Sequence, residues 1–413
     1  MKIKRLLPIL LVFTLILSFS AVSMAETLTV NTYTSDPAPR KAMQKLVEIY
    51  EENNPDVDVE LNITAHEDFK KAIRVWLSSD NPPDVFSWFA GNRAKFFVDK
   101  GLVMPFTDVW EEENLDQKIP RAFKSISFFE DEAYFLPHSY YWWAVYYRES
   151  IFAEYGLEEP QTWEQLLEVG ETLKANGITP FAIGTKFKWT AAGWFDYLNM
   201  RINGPEFHVD LMHGEVPFTD DRVAEVFKKW KYLIENDFFV ENAAAYSWQE
   251  GLQFMTQGDA AMYLMGQFIN DAVSEEVSED MDFFRFPIIN KNVPVGEDLP
   301  TDGFMIPAKA PNPEMAKDFI AFLASVEGQR VFAEDMGRMV PNTDVPDEVY
   351  DEAALKGKEM IESTDALAQF YDRDMDPAMA GDTMDLLMKF WQYPDQYESI
   401  MEEMEQVRQD VME

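Results

Sequence analysis

The sequence predicts an α/β protein of two lobes, each a mainly parallel sheet flanked by helices, with the chain crossing between them several times. Three observations carry that expectation. Residues 28–88 alternate strand and helix patterns in the order β-α-β-α-β, which implies parallel strands joined by covering helices. At 413 residues the chain exceeds one average domain and can bury two sizeable cores. No repeat, low-complexity tract or long linker divides it, so the lobes are interlaced rather than strung like beads.

The first residues stand apart. Lys2, Lys4 and Arg5 precede the apolar run Leu6–Leu17, and Ser23-Met24-Ala25 offers the small residues a signal peptidase reads, so a secretory signal cut after Ala25 is expected. About twelve apolar residues fall short of the roughly twenty that span a bilayer. Cysteine is absent, which removes both a disulfide framework and a lipid-modified anchor. The expected product is a soluble periplasmic monomer without a membrane anchor. A formal charge of −39 repels phosphate backbones and anionic headgroups alike, so nucleic acid and membrane surfaces are excluded as partners. Aromatic residues at 14% argue for a folded chain under a solvated acidic skin.

Leu28–Tyr33 alternates with period two and reads as a strand. The helical stripe Ala42, Met43, Leu46, Val47, Ile49 and Tyr50 follows, stopping at Asn53-Asn54-Pro55. Val57–Ile63 repeats the strand pattern, Phe69–Leu77 the helical one, and Asp84–Trp88 is a short buried strand. Ligands sit beyond the carboxyl ends of such strands, here Tyr33–Asp36, His66-Glu67 and Trp88–Arg93. Phe128-Phe129 and Tyr134–Leu136 flank Glu130-Asp131-Glu132 as a hairpin. Between His138 and Tyr147 six of ten residues are Tyr or Trp, leading into the strand Val145–Tyr147.

From Ser150 the pattern turns helical. Thr162–Gln165 is a capping box ahead of the helix Leu166–Leu173, and Phe181–Gly184 is a short strand. Helices over Trp189–Met200, Val223–Glu235, Trp248–Met255 and from Phe268 onward enclose the strand Ala260–Met265. Phe283–Ile289 and Gly303–Ile306 read as strands, Met315–Leu323 and Arg330–Met336 as amphipathic helices. The acid-rich tail is helical and interrupted at Pro377 and Pro394. The expected lobes are 26–137 with 303–345, and 138–302 with 346–413, the second more helical.

Catalytic constellations are missing: no GxSxG elbow, phosphate loop or GxGxxG occurs, and no cofactor is implied. Four histidines give no metal spacing; His208 and His213, five apart, would point about 140° from each other on a helix. Aromatic residues at strand ends and in loops are the better clue. A pyranose stacks its C–H face on Trp or Tyr, while its hydroxyls need carboxylates, amides and arginine. Trp88 with Asn92, Tyr140–Trp142, Trp189 with Trp194, and Trp248 meet that requirement. Trp143, Tyr146, Tyr147 and Trp163 read as packing, and at least one of Trp189 and Trp194 faces the core. Arg338, in an irregular turn, reaches either a ligand hydroxyl or an acidic side chain.

Several segments then resemble, in order, the extracellular solute-binding proteins of carbohydrate ABC importers, the family 1 group that includes maltose-binding protein. They are Asn81-Pro82-Pro83-Asp84-Val85, Trp88–Arg93, Tyr141-Trp142-Trp143 to Tyr147, Glu159–Trp163, Gly258–Met262, Asp302–Pro307, and Asn312–Lys317 with Glu327–Gln329. The resemblance covers essentially the whole mature chain. It implies the periplasmic-binding-protein fold, a cleft that closes by hinge motion around a ligand, no catalysis, and delivery of a sugar to the importer's permease subunits. By position it implies one wall from Tyr33, Ser35, Glu67, Trp88 and Asn92. A second wall comes from Tyr140, Tyr141, Trp142, Trp189, Trp194 and Trp248, with Asp302 and Arg338 near the hinge. Where many members carry Gly-x-Trp, Gly266-Gln267-Phe268 stands here, which implies a polar contact from Gln267. Two alternatives remain: a cationic ligand such as a polyamine or quaternary ammonium in an aromatic cage, and a secreted glycoside hydrolase.

Overall fold

The alternating patterns near the amino terminus fold as expected. Glu26–Thr32 pairs in parallel with Val57–Ile63 on one side and Val85–Phe89 on the other, and the helices Pro37–Asn53 and His66–Ser78 make the crossovers. The structure, a computed structural model, describes residues 25–412, so most of the secretory-signal segment lies outside it. Thr301–Pro307 adds to this sheet antiparallel to Val85–Phe89, and Val103–Met104 and Leu136–Tyr140 pair with it in turn.

The second sheet has the order Met281–Phe284, Trp143–Arg148, Ala260–Gly266, Thr179–Phe181, and only its last pairing is parallel. Both sheets are thus mixed, where the strand and helix order suggests mainly parallel ones. The reversed strands are the ones that start at the crossings: Trp143–Arg148 enters the second lobe there, and Thr301–Pro307 re-enters the first. Each therefore runs against neighbours that arrive at the same edge.

Alternation fills the cores. Leu28, Val30, Leu46, Phe304 and Phe319 pack on one face of the first sheet, and Phe69, Ile73, Phe86 and Phe97 on the other. Trp194, Phe227, Trp230 and Leu387 belong to a separate, larger core around the second sheet. The Thr162 capping box forms, with Thr162 and Gln165 exchanging side-chain and backbone bonds ahead of the helix Trp163–Ala175. Two local expectations change. The strand expected over Phe283–Ile289 is confined to Met281–Phe284, because Pro287 has no N–H for the ladder. From Phe268 onward only a 3₁₀ turn, Gln267–Ala272, and the short helix Glu275–Glu279 form. The helical tail is interrupted at Pro377 and Pro394 as expected: Tyr371–Asp374 ends ahead of Pro377, which opens the helix Pro377–Gln392 with Asp376 capping the Ala378 N–H, and the last helix, Tyr397–Met412, follows Pro394. Among the described residues no helix is long and apolar enough to cross a membrane.

Candidate ligand-binding site

A cavity of about 370 Å³ lies where the two sheets meet. The ends of the first sheet's strands supply Tyr33, Ser35, Glu67 and Phe89, and the crossing strands supply Tyr141, Trp143 and Asp302. The second lobe adds Trp189, Trp248, Phe268 and Phe370, and Arg338 and Arg373 close it.

Trp189 and Trp248 owe their placement to helix starts. Each is the first residue of its helix, Trp189–Asn203 and Trp248–Thr256, the latter opened by a Ser247–Glu250 capping box. The start of the helix carrying Trp248 presses on the segment after the strand Thr179–Phe181 at Gly184, where a Cβ would stand 2.0 Å from the Ser247 carbonyl oxygen, so only glycine fits. Phe268 is the hub of the aromatic floor. Its ring meets Trp248 at 5.3 Å, Tyr141 at 5.4 Å, Trp189 at 6.0 Å and Trp143 at 6.2 Å, each edge-on. Trp143 in turn stacks on Phe370 at 4.7 Å.

Joined to the rings through Tyr141 is a polar network that links both lobes. The Tyr33 hydroxyl donates to Asp302 Oδ1 at 2.9 Å, and Arg373 Nη1 stands 3.1 Å from the same oxygen. Arg373 also donates to the Tyr141 hydroxyl at 2.7 Å and the Thr301 carbonyl at 3.1 Å, and its guanidinium lies 4.6 Å over the Phe89 ring. Burial works against the Arg373 charge, but Tyr141, Asp302, Tyr33 and Asp372 outweigh it and hold its pKa above the ordinary arginine value. Burial raises the Tyr33 hydroxyl, with Asp302 adding to the effect. Burial would likewise raise Glu67, yet His66 at 3.3 Å and Lys70 at 3.1 Å draw it down to about 2. His138, buried in the wall, is pushed down to about 4 by desolvation and is neutral at pH 7.

Across the cleft edge the lobes touch. Arg93 donates to the Asp372 carbonyl at 2.6 Å and its carboxylate at 2.5 Å, and Asn92 donates to the Asp374 carbonyl. These bonds tie residues 92–93 to residues 372–374 at the cavity edge.

Six of the expected site residues stand outside the cavity. In extended chain neighbours face opposite ways, so Tyr141 and Trp143 share the cavity side while Tyr140 rests on Phe123 and Trp142 is buried against Phe283 and Gly357. Trp88 is turned into the first lobe among Phe69 and Phe97 for the same reason, leaving Phe89 to the cavity. Trp194, on the far side of its helix from Trp189, packs against Phe181, Phe239 and Phe286. Asn92 serves the lobe contact. Gln267 accepts from Arg338 and donates to the Gly337 carbonyl at 3.2 Å, which orients Arg338 beside Asp271. Tyr33, Ser35, Glu67, Tyr141, Trp189, Trp248, Asp302 and Arg338 line the cavity. Trp143 and Phe89 were legible from the two-residue period. Phe370 and Arg373, in the helical tail, carry no local signal.

Two α/β lobes meeting at a cavity lined by aromatic rings and a buried polar network define a receptor for a small solute. The chain belongs to the bacterial extracellular solute-binding protein family, which matches residues 34–330 and whose members bind solutes without transforming them. The bacterial solute receptor AcbH, described as exclusive for β-D-galactopyranose, is 30% identical with a TM-score of 0.89 over 94% of this chain and 100% of its own. An ABC transporter extracellular-binding protein of Pyrococcus horikoshii is 27% identical over 320 residues, 76% of this chain and 71% of its own. The alpha-glucosides-binding periplasmic protein AglE of Rhizobium meliloti is 25% identical over 342 residues, 78% and 74% of the two chains.

Proposed function

We propose that this protein captures a neutral sugar, an oligosaccharide or a glycoside, in the cavity between its lobes and delivers it to the permease subunits of an ABC importer. The observation that carries this reading is the pairing of an edge-on ring cluster (Trp143, Trp189, Trp248, Phe268) with the Tyr33–Asp302–Arg373 network across one cavity. Rings take the C–H face of a pyranose, and fixed charged partners take its hydroxyls. His138 Nδ1 and Trp143 Nε1 are buried, belong to cavity-lining residues, and have no partner among the described residues. Relatives named for galactopyranose and for α-glucosides support the same ligand class.

The acids of the cavity argue against a cationic ligand. Asp302 is engaged by Arg373, Asp271 by Arg338, Asp372 by Arg93 and Glu67 by Lys70, so four of the lining carboxylates are already neutralised, which leaves Asp36 and the exposed Asp68 as the other acids of the lining. The lobes in this reading are 26–137 with 303–345 and 138–302 with 346–413; the separate cores support two lobes, while the first-sheet strands Leu136–Tyr140 and Thr301–Pro307 run across both boundaries. The protein would act as a periplasmic monomer released by cleavage after Ala25. A thermal-shift panel of galactose, α-glucosides and longer oligosaccharides beside spermidine and a betaine tests it, since only a ligand of the native state raises the midpoint. A shift with spermidine or betaine and none with any sugar would sink the reading.

A further inference from the structure

Behind the cleft the second lobe buries three groups that its packing does not satisfy. Asp196 lies on the helix Trp189–Asn203, His208 on the helix Pro205–Met212, and Asp298 ends the strand Gly296–Asp298; all three are fully buried. One donor atom from each lies within 4.8 Å of the other two, and His208 Nε2 is 3.5 Å from Asp196 Oδ1. Asp196 Oδ1, His208 Nε2 and both Asp298 carboxylate oxygens have no hydrogen-bond partner among the described residues. Arg201, on the Asp196 helix, makes no hydrogen bond to them, because it donates to Glu297, the Gly296 carbonyl and the Phe286 carbonyl. A buried carboxylate persists only when it is paired, protonated or bound to a metal.

We propose that Asp196, His208 and Asp298 form a structural site for a divalent cation of the zinc class. One such ion neutralises both carboxylates and engages His208 Nε2. One imidazole nitrogen with two carboxylate oxygens suits zinc better than calcium, which takes about six to eight oxygens. Sequence spacing hides the set, since the partners of His208 come from a neighbouring helix and a distant strand rather than from His213. The site lies at the root of the cavity wall. Trp189 opens the helix that carries Asp196, Asp298 leads through Pro300 to Asp302, and Asp196 Oδ2 accepts from the Tyr371 N–H at 2.8 Å, just ahead of Asp372 and Arg373. The cation ties these segments together.

The rival is a carboxyl pair sharing one proton, and the His208 tautomer separates the two. The Asn199 amide nitrogen Nδ2 sits 3.1 Å from Nδ1, while Asn199 Oδ1 accepts from Asn203 Nδ2 at 2.8 Å. A cation on Nε2 requires the proton on Nδ1 and the Asn199 amide flipped, its oxygen leaving Asn203 to face Nδ1; a shared proton keeps the present amide orientation and leaves Nε2–H donating to the carboxylates. The full mature chain, dialysed against chelator and titrated with Zn²⁺, Mn²⁺ and Ca²⁺, provides the test. Expected are about one Zn²⁺ per chain by elemental analysis, a thermal midpoint raised by several degrees, an Nδ1–H tautomer in ¹⁵N NMR of the loaded protein, and loss of the ion in Asp298→Asn. If no zinc is retained and Asp298→Asn is as stable as the parent or more so at pH 7, the cluster is a proton-sharing pair and the proposal fails. It fails equally if Ca²⁺ alone shifts the midpoint. Should the variant not fold, metal content and tautomer of the parent chain decide.

Discussion

Trp142 and Trp143 share a side chain and a peptide bond, yet one holds the second lobe together while the other lines the cavity. Trp142 is 1% exposed and lies against Gly357, where a Cβ would come within 2.5 Å of its ring. Trp142→Ala is expected to cost about 3–5 kcal/mol, read from urea unfolding, because no neighbour can collapse into a space of that size. Trp189→Ala removes a ring at the cavity rim and should weaken sugar binding by roughly ten- to a hundredfold, with a much smaller loss of stability, as titration calorimetry beside the same unfolding series would report. A variant that loses stability but keeps its affinity would return Trp189 to the core. His138 and Glu67 make acid a probe of the site. The folded chain holds His138 at about 4 against an ordinary 6.5, so the unfolded chain binds an extra proton between those values. That stability is complete above about 6.5 and declines as pH falls toward 4. Glu67, held at about 2 against 4.5, adds a second loss from about 4.5 downward. His138→Phe, which can keep the 4.1 Å stack on Phe332, should make the upper slope shallower in urea midpoints followed from pH 7 to 4.

The segments that close the cleft are short, and one glycine governs them. Gly91 has φ +77° and ψ −153°, a region essentially reserved for glycine, and its Cβ would stand 2.5 Å from the Arg373 carbonyl oxygen across the lobe contact. Gly91→Ala adds backbone strain of about 1–3 kcal/mol in either state, but the clash exists only in the closed one. The variant should therefore bind sugar more weakly and show a larger radius of gyration by X-ray scattering at saturating sugar; an unchanged radius and affinity would mean the Arg93–Asp372 contact is incidental to closure. Elements of this kind also mark what a sequence reveals. Period-two and period-3.6 patterns placed the first three strands, their helices and the Thr162 and Trp248 helices, because burial of one face dictates each of them. The same period read through Trp88-Phe89 and Tyr140–Trp143 identifies which ring meets the cavity, a step that treating rings as a cluster omits. Arg373 was illegible for a different reason. Its partners Tyr33, Tyr141 and Asp302 come from three remote segments, and its own helix, Tyr371–Asp374, is a single turn in an acid-rich tail. Sheet direction was half legible, since only the crossings reverse a strand.

For the molecule as a whole the dominant electrostatic fact is a formal charge of −39. Exposed pairs such as Lys71–Asp68 are worth little individually, and the surplus acids repel one another in the compact state. Raising salt from 0.01 to 1 M shortens the screening length from about 30 Å to about 3 Å, so the thermal midpoint should climb through that range. The cavity responds differently. Its charges are held in short pairs, Arg373–Asp302 at 3.1 Å and Arg93–Asp372 at 2.5 Å, which screening barely reaches. A neutral sugar brings no charge to this field, so its Kd should change by less than about twofold while the midpoint rises. A polyamine drawn by the acidic surface would instead lose affinity by an order of magnitude or more over the same series. Calorimetric titrations at 0.01, 0.1 and 1 M NaCl thus separate the two ligand classes, because long-range attraction scales with salt and stacking with short-range hydrogen bonding does not.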